Sequence, residues 1–292
     1  MTDYKNAIEI NGLTKKYDGF TLDNVSFSVP KGSIMGFIGQ NGAGKTTTIK
    51  AILNIISKDS GTIKMLGLDN IENELEIKEQ IAVVFDELPI HDALNIKNIN
   101  IIMRDIFKQW DESVFFEYTE RFGLPVKKKI GQFSKGMKMK LQIAIALSHK
   151  AKLLVMDEAT TGLDPVVRSE ILDIFLEYLQ DENNSILMSS HITSDLEKIA
   201  DSVTFIDKGK ILLTGYKDDI LESHGLIKCN KDDYSHIDKS DFISARISDF
   251  GVSVMVDNIQ AVKKKYPSLM TEKTSFEEIM LYYVNQEKRE WS

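Results

Sequence analysis

The sequence contains a single cysteine, five prolines and no long apolar run. One thiol, Cys229, cannot form a disulfide within the chain. The first residues lack the charged, apolar and small-residue zones of a signal peptide, so we expect no export of the chain. The longest apolar runs, such as Leu153 to Met156, are far shorter than the roughly 20 residues that span a bilayer. These absences predict a cytosolic chain that does not itself enter the membrane.

The sequence also lacks an excess of positive charge. Lys and Arg number 36 against 44 Asp and Glu, which gives a formal net charge of −8. Broad nucleic-acid binding needs a clustered basic surface, whereas the lysine runs at Val126 to Ile130 and Val262 to Tyr266 are typical of solvated faces. We therefore expect no nucleic-acid partner. With 292 residues, 42% of them hydrophobic, the chain is predicted to be a globular protein with one large domain and a smaller one, or with two domains.

Two patterns of apolar residues follow one another along the chain. Near the N-terminus, β-branched and alternating stretches separated by Asp, Gly and Pro predict antiparallel strands. From Ile34 onward, short apolar strands alternate with longer segments of helical spacing, which is typical of an α/β fold with a mostly parallel sheet flanked by helices. The predicted parallel strands are Ile34–Ile38, Ile81–Phe85, Lys152–Met156, Ser185–Ser189 and Ser202–Ile206.

Two segments depart from this alternation. Asn95 to Leu124 contains no convincing strand and carries apolar residues at helical spacing, so we predict a helical insertion at about residues 90–150. After about Gly225 the pattern changes to short strands and amphipathic helices. The sequence thus predicts a main domain at residues 1–224 and a small α+β accessory domain at residues 225–292.

A glycine-rich loop follows the predicted strand Ile34–Ile38 and precedes a helical segment. This context is the one that the phosphate-loop pattern requires. Glycines let backbone N–H groups converge on phosphate oxygens, and the helix N-terminus adds positive potential. We expect Lys45 to bridge the β and γ phosphates and the Thr46 hydroxyl to ligate Mg²⁺; a glycine-rich turn that matches by chance is the alternative. Gly39, Gly44, Lys45 and Thr46 fit the phosphate-loop pattern.

Two adjacent acids end the predicted strand Lys152–Met156. Asp157 would lie beside the phosphate loop, where its carboxylate can hold Mg²⁺ through water. Glu158 could polarise the attacking water as a general base. Two acids after a strand are, in isolation, more often a solvated turn. Their position about 110 residues after a phosphate loop favours the catalytic interpretation.

Together with the phosphate loop, the runs `FSKGMKMKLQIAIAL`, `LLVMDEATTGLDP` and `ILMSSHITSDLEKIADSVTFIDKGKI` resemble the nucleotide-binding subunit of ATP-binding cassette (ABC) transporters. Five motifs occur in the order and spacing of that family, over about Ile8 to Leu221. The resemblance implies a P-loop NTPase core that binds ATP and Mg²⁺. It implies that the phosphates are held by Gly39, Gln40, Asn41, Gly42, Ala43, Gly44, Lys45, Thr46 and Thr47. It also implies that Tyr17 stacks on adenine, that Asp164 crosses to a partner subunit, and that His191 contacts the γ-phosphate.

The implied roles have structural alternatives. Tyr17 could be an ordinary aromatic residue at a strand end, because base stacking is sequence-tolerant and leaves little trace. A lone His191 would more often be a satisfied strand-end histidine. Asp164 precedes a proline, which suits a helix N-cap followed by proline in the first turn, so we expect capping and function to coexist.

The segment Phe133 to Met137 bears on quaternary structure. Ser134 is placed to start a helix whose N-terminal amides can receive an anion. The resemblance implies that Ser134 and Gly136 face the γ-phosphate held by a second ABC subunit, identical or different, so that two chains enclose two ATP molecules. The segment departs from the family pattern, because Lys135 stands where a glycine is usual, and Phe133 and Met137 replace leucine and glutamine.

A second departure lies at Asp86, directly after the predicted strand Ile81–Phe85. The family usually carries a glutamine here that reaches Mg²⁺. A shorter acid could serve the metal, which makes Asp86 a candidate metal ligand. Alternatively, Asp86 caps the following turn, as aspartate readily does, and Glu87 or water serves the metal.

The resemblance implies an ATP-hydrolysing subunit at the cytoplasmic side of the membrane that docks, through its helical insertion, on a separately encoded transmembrane permease. The details are similar to bacterial exporters of peptides and drugs. A soluble ABC-type ATPase that acts on a macromolecule is the alternative, but it would be expected to show a tandem cassette, a long coiled-coil insertion or a basic face. A P-loop kinase would not need `FSKGM` or His191. The sequence leaves open the cargo, the direction of transport and the identity of the second cassette.

Overall fold

The computed structural model describes residues 4–291, whose strands form three sheets. The strands are β1 (Asn6–Tyr17), β2 (Phe20–Pro30), β3 (Ile34–Ile38), β4 (Ser60–Met65), β5 (Leu68–Asp69), β6 (Ile81–Phe85), β7 (Leu153–Asp157), β8 (Ser185–Ser190), β9 (Ser202–Asp207), β10 (Lys210–Tyr216), β11 (Gly225–Cys229), β12 (Ser244–Ser248), β13 (Gly251–Val256), β14 (Met270–Glu272) and β15 (Glu290–Trp291). The α-helices are α1 (Lys45–Ile52), α2 (Glu74–Lys78), α3 (Ile96–Ile106), α4 (Glu112–Arg121), α5 (Lys135–Leu147), α6 (Pro165–Tyr178), α7 (Thr193–Ile199), α8 (Lys217–Ser223), α9 (Lys231–Ser235), α10 (Ile259–Lys265) and α11 (Phe276–Val284).

The N-terminal sheet is antiparallel, with the strand order β2-β1-β4-β5. The side chains of β2 alternate between a covered and an exposed face. Val25, Phe27 and Val29 are buried, while Ser26 and Ser28 between them are exposed. Such a period of two is what a strand with one covered face requires. The predicted antiparallel start of the chain is confirmed.

The central sheet has the strand order β10-β9-β3-β8-β7-β6 and is parallel except for β10. Every residue of β3, β7 and β8 is buried. One face of these strands, with Phe37 and Val155, packs on the N-terminal sheet and α1, and the other, with Ile34 and Met156, packs on helices that include α5 and α6. Strands covered on both faces are largely apolar. The predicted α/β fold with a parallel sheet is confirmed. Strand β10, which forms an antiparallel hairpin with β9, was not among the predicted strands.

Three helices lie between β6 and β7, where the sequence predicts a helical insertion. Helix α3 begins with a capping box between Asn95 and Asn98, and Asp111 caps α4. Helix α5 is fastened to the central sheet by Gln142, whose side chain accepts from Phe85 N at 3.1 Å and donates to Phe85 O at 2.9 Å. The insertion is thus tied to the carboxyl end of β6.

The last sheet has the strand order β14-β11-β13-β12-β15. Helix α11 begins at a capping box between Ser275 and Glu278 and places Phe276 against Phe205 of β9, ring centroids 5.8 Å apart. Phe276 and Phe205 belong to one buried apolar cluster. The C-terminal segment therefore shares part of its core with the central sheet, and the boundary between residues 224 and 225 stays a prediction. Within residues 4–291, no helix is both long and apolar enough to cross a bilayer.

Candidate functional site

The glycine-rich loop joins the end of β3 to the first residue of α1. Gly42 and Gly44 have φ angles of +81° and +116°, which side-chain-bearing residues rarely adopt. A Cβ at Gly44 would lie 2.7 Å from Leu22 Cδ2, and one at Gly39 would lie 2.5 Å from Ile206 O. The backbone conformation explains Gly42, close packing explains Gly39, and both explain Gly44. None of the three places a side chain beside the N-terminus of α1.

Lys45 is the first residue of α1 and is only 5% exposed. Its Nζ donates to Gly39 O at 2.7 Å and to Gln40 O at 3.2 Å, and it lies 3.0 Å from Glu158 Oε1. The ammonium group therefore connects the loop with the carboxyl end of β7. A cation held in this way is available for an anion that enters beside the loop.

Ser189 organises the two acids at the end of β7. Strands β7 and β8 are parallel, with Asp157 opposite Ser189. The Ser189 hydroxyl donates to Asp157 Oδ1 at 2.7 Å and accepts from the Glu158 backbone N at 3.1 Å. The sequence analysis does not single out Ser189; the available signal is the pair of serines, Ser189 and Ser190, that follows the apolar residues of β8.

Glu158 has a φ of +55°, an unusual conformation for a residue other than glycine and one found at functional sites. Its Oε2 accepts from Thr161 Oγ1 at 2.8 Å and contacts His191 Nδ1 at 2.7 Å. Burial acts to raise the pKa of Glu158, but hydrogen bonds from Thr161 and Lys45, the Lys45 charge and the His191 contact outweigh it and lower that pKa. Glu158 is therefore ionised at neutral pH.

A cleft of about 420 Å³ opens over the loop, a size within the range of small-molecule sites. Its lining residues are Phe20, Gln40, Asn41, Gly42, Gly44, Lys45, Thr46, Thr47 and Glu158. Phe20 is a further residue that the sequence analysis does not single out. Tyr17, its cross-strand partner in the β1–β2 hairpin, is 45% exposed beside this cleft and does not line it. The adenine-stacking role of Tyr17 stays a prediction.

The residues around the cleft fit Mg²⁺ bound together with a nucleotide. Thr46 supplies a hydroxyl at the start of α1, and the Asp157 carboxylate is buried at the strand end. The described residues contain no group of three or more His, Cys, Asp or Glu side chains that could hold a metal by themselves. Mg²⁺ typically takes one or two protein oxygens and completes its shell with phosphate and water. Thr46 and Asp157 supply two such protein oxygens, which matches this coordination of Mg²⁺.

Asp86 follows β6, whose last residue, Phe85, is opposite Asp157 in the parallel pair with β7. Its carboxylate forms an ion pair with Lys135 Nζ at 2.5 Å, and both side chains are roughly half-exposed. Two of the positions at which the sequence departs from the family pattern therefore contact each other. The role of Asp86 as a metal ligand stays a prediction.

The remaining predicted residues lie at two helix N-termini. Ser134 caps α5 by accepting from Met137 N at 3.2 Å. Asp164 caps α6 by accepting from the next backbone amides at 3.1 and 3.0 Å, so the predicted capping is observed. A Cβ at Gly136 would lie 3.6 Å from Val167, an ordinary contact distance. Packing within the chain therefore does not require a glycine at position 136.

Comparison with known proteins identifies the family. Residues 22–161 match the family described as ABC transporter. The bacitracin transport ATP-binding protein BcrA of Bacillus licheniformis is 36% identical over 208 residues, which cover 70% of this chain and 68% of that protein. The lantibiotic transport ATP-binding protein SrtF of Streptococcus pyogenes is 37% identical over 209 residues, covering 70% and 89% of the two chains.

A solved structure agrees with the sequence relatives. The ATP-binding subunit of an ABC transporter superimposes with a TM-score of 0.67 at 26% identity, over 74% of this chain and 92% of that one. The glycine-rich loop with Lys45 follows the carboxyl end of β3, and the acids Asp157 and Glu158 lie at the carboxyl end of β7. The chain belongs to the ABC transporter family, as one of its ATP-binding, ATP-hydrolysing subunits.

Proposed function

We propose that this subunit hydrolyses Mg²⁺-bound ATP at a site completed by a second cassette, and thereby drives a separately encoded membrane permease. The observation that carries the proposal is the contact chain Lys45–Glu158–His191, with separations of 3.0 Å and 2.7 Å. It joins a cation on the glycine-rich loop, an ionised carboxylate and an imidazole beside one cleft. These are the groups that binding a triphosphate and activating a water require.

Each group has a defined task in this proposal. The loop from Gly39 to Thr47 holds the phosphates. When ATP enters, Lys45 loses its contact with Glu158 and binds phosphate oxygens instead. Glu158 then accepts the proton of the attacking water, and His191 orients Glu158 and the γ-phosphate. Thr46 and Asp157 would hold Mg²⁺, which would neutralise phosphate charge. Asp86 is a further candidate ligand.

The second cassette completes the site through the start of α5. Ser134 and Gly136 present backbone amides at this helix N-terminus, where an anion is stabilised. The glycine at position 136, for which packing in the chain gives no reason, leaves room for the close approach of a phosphate held by the other subunit. Asp164 faces the same partner, and Tyr17 contacts the adenine. A second copy of this chain is the simplest partner.

The permease docks on an apolar surface beside the helical insertion. Leu75 of α2 is 83% exposed, and Ile106 of α3 is 56% exposed. With Phe107 they line a cleft of about 790 Å³ between the two helices. An apolar segment of the permease would cover these side chains. This contact would hold the subunit at the cytoplasmic face of the membrane, with residues 1–224 as the ATPase domain and residues 225–292 as an accessory domain.

The relatives suggest the cargo. BcrA is named for bacitracin transport and SrtF for lantibiotic transport. We therefore propose that the complex exports peptides or drugs. A soluble ABC-type ATPase acting on a macromolecular partner has no supporting observation in the described residues.

The test is co-expression with the membrane protein encoded beside this chain, followed by co-purification and ATPase assay. We expect Ile106→Asp to abolish co-purification, because it replaces one of the three apolar side chains of the cleft, Leu75, Ile106 and Phe107, by a charge. Ile55→Asp is the matched control, since Ile55 is also 56% exposed but lies after α1. Equal loss in both variants, or ATP hydrolysis that the Lys45→Ala variant retains, would contradict the proposal.

A further inference from the structure

Arg168 and Asp195 form an ion pair behind the candidate site. Arg168 lies in the first turn of α6, and its Nη2 donates to Leu163 O at 3.1 Å. Its Nε lies 3.8 Å from Oδ2 of Asp195, a residue of α7 that is almost fully buried. The pair therefore joins the residues just before α6 to helix α7.

This pair is an unfavourable way to gain stability. Among the described residues, neither Arg168 Nε nor Asp195 Oδ2 has a hydrogen-bond partner, although both atoms are buried. Taking two charges out of water costs free energy that a geometry without a direct hydrogen bond does not fully recover, and two apolar side chains of similar volume often do as well or better. Stability of the fold therefore does not explain why this ion pair is present.

The two segments that the pair joins both carry catalytic side chains. Leu163 belongs to the loop that begins at Glu158, and Asp195 follows His191 by four residues. The loop and the His191 segment contact each other directly through Glu158 and His191, which lie 2.7 Å apart. The two segments are connected a second time through Arg168, which contacts Leu163 O and Asp195. The four side chains and the backbone between them form a closed ring.

We propose that Arg168 and Asp195 are positioning residues that hold Glu158 and His191 at the distance and orientation that hydrolysis requires. The inference rests on the proposed function, because it assigns Glu158 and His191 to the hydrolytic step. Arg168 acts on the loop through the Leu163 carbonyl, and Asp195 fixes Arg168 while anchoring α7. Turnover is sensitive to such supports, since small displacements of catalytic groups carry large rate penalties.

The test compares Arg168→Met, Asp195→Leu and the double variant. Arg168→Met leaves the buried Asp195 carboxylate unpaired and should lower the unfolding temperature by on the order of 10 °C. Asp195→Leu should lower it less, because the Arg168 side chain is 26% exposed and its charge can reach water. The double variant should regain most of that temperature, because both charges are gone. Its kcat should nevertheless stay at least about 10-fold below that of the unaltered subunit, with a KM for ATP within about 2-fold, because the phosphate loop is untouched.

The control is the Arg121→Met/Glu177→Leu variant, which removes an ion pair between α4 and α6 at 2.7 Å that is exposed and distant from the loop. Its kcat should not change. A double variant at Arg168 and Asp195 with an unaltered kcat would overturn the positioning role, whereas absence of ATP hydrolysis by the unaltered subunit with its permease would overturn the proposed function instead.

Arg168→Lys gives an independent measurement should the double variant fail to fold. It keeps a cation near Asp195 but loses the planar fork that reaches Leu163 O and Asp195 together. We expect a kcat reduced several-fold at a nearly unchanged unfolding temperature. An unchanged kcat in this variant would likewise overturn the inference.

Discussion

Replacing Glu158 by Gln should change ATP binding and ATP hydrolysis in opposite directions. In the subunit alone, the carboxylate lies 3.0 Å from Lys45 Nζ and only 17% of its side chain is exposed. Entry of ATP must displace this contact and bring phosphate charge towards the carboxylate. Glutamine keeps similar shape and hydrogen-bonding capacity but removes the negative charge.

The geometry sets the size of the binding effect. At 3.0 Å and an effective dielectric constant of about 20, the attraction between Glu158 and Lys45 is on the order of 5 kcal/mol before desolvation. Desolvation of the two charges offsets most of it, which leaves roughly 1–2 kcal/mol. We therefore expect Glu158→Gln to bind ATP about 5- to 30-fold more tightly. Its turnover should fall by at least about 100-fold, the usual contribution of a general base.

The binding assay is an equilibrium titration with a fluorescent ATP analogue, and turnover is measured with the permease present. Glu112→Gln makes the same change of charge on the exposed first turn of α4 and should leave both quantities unchanged. An unchanged or weaker affinity in Glu158→Gln would refute the idea that Glu158 competes with phosphate for Lys45. Near-normal turnover would refute its role as the base.

Three further predictions concern other parts of the chain. Breaking the half-exposed Asp86–Lys135 pair with Asp86→Asn should cost less than about 1 kcal/mol of unfolding free energy, yet raise the Mg²⁺ concentration for half-maximal ATPase; an unchanged midpoint in a Mg²⁺ titration removes the metal role. Burial lowers the pKa of His224, and its backbone hydrogen bond opposes this with a smaller effect. The unfolded chain therefore binds more protons, and stability is lost as pH falls below about 6.5. Urea titrations at two pH values should show a smaller loss of stability in His224→Gln; equal losses in the variant and the unaltered chain would contradict this. Gly44→Ala, whose Cβ would meet a side chain at 2.7 Å, should lower stability by about 1–3 kcal/mol and weaken ATP binding, more than Gly42→Ala, which has open space; thermal unfolding of the two variants decides.

The sequence could predict the central sheet because strands covered on both faces must be apolar throughout. Strands β3 and β6 have the predicted bounds. The edge strand β10 does not follow this rule, since most of its residues are only partly buried and its apolar run, Ile211 to Leu213, is only three residues long. The short strands β14 and β15 carry too few residues to show a period.

The site was predictable where the backbone dictates the residue type, and not where side chains from distant segments meet. The glycines of the phosphate loop follow from φ angles that only glycine adopts readily, as at Gly44. The ion pair between Asp86 and Lys135 and the hydrogen bond from Ser189 to Asp157 depend instead on how sheet and insertion pack. No spacing in the sequence encodes such contacts.

The central claim is that two copies of this subunit share each ATP, and a mixing experiment tests it most directly. Lys45→Ala disables the phosphate loop, and Ser134→Arg blocks the start of α5, so each variant alone should be inactive. Random pairing should place about half of the chains in mixed dimers with one intact site, restoring about a quarter of the normal ATPase rate. A mixture no more active than either variant alone would contradict a site shared between two identical subunits.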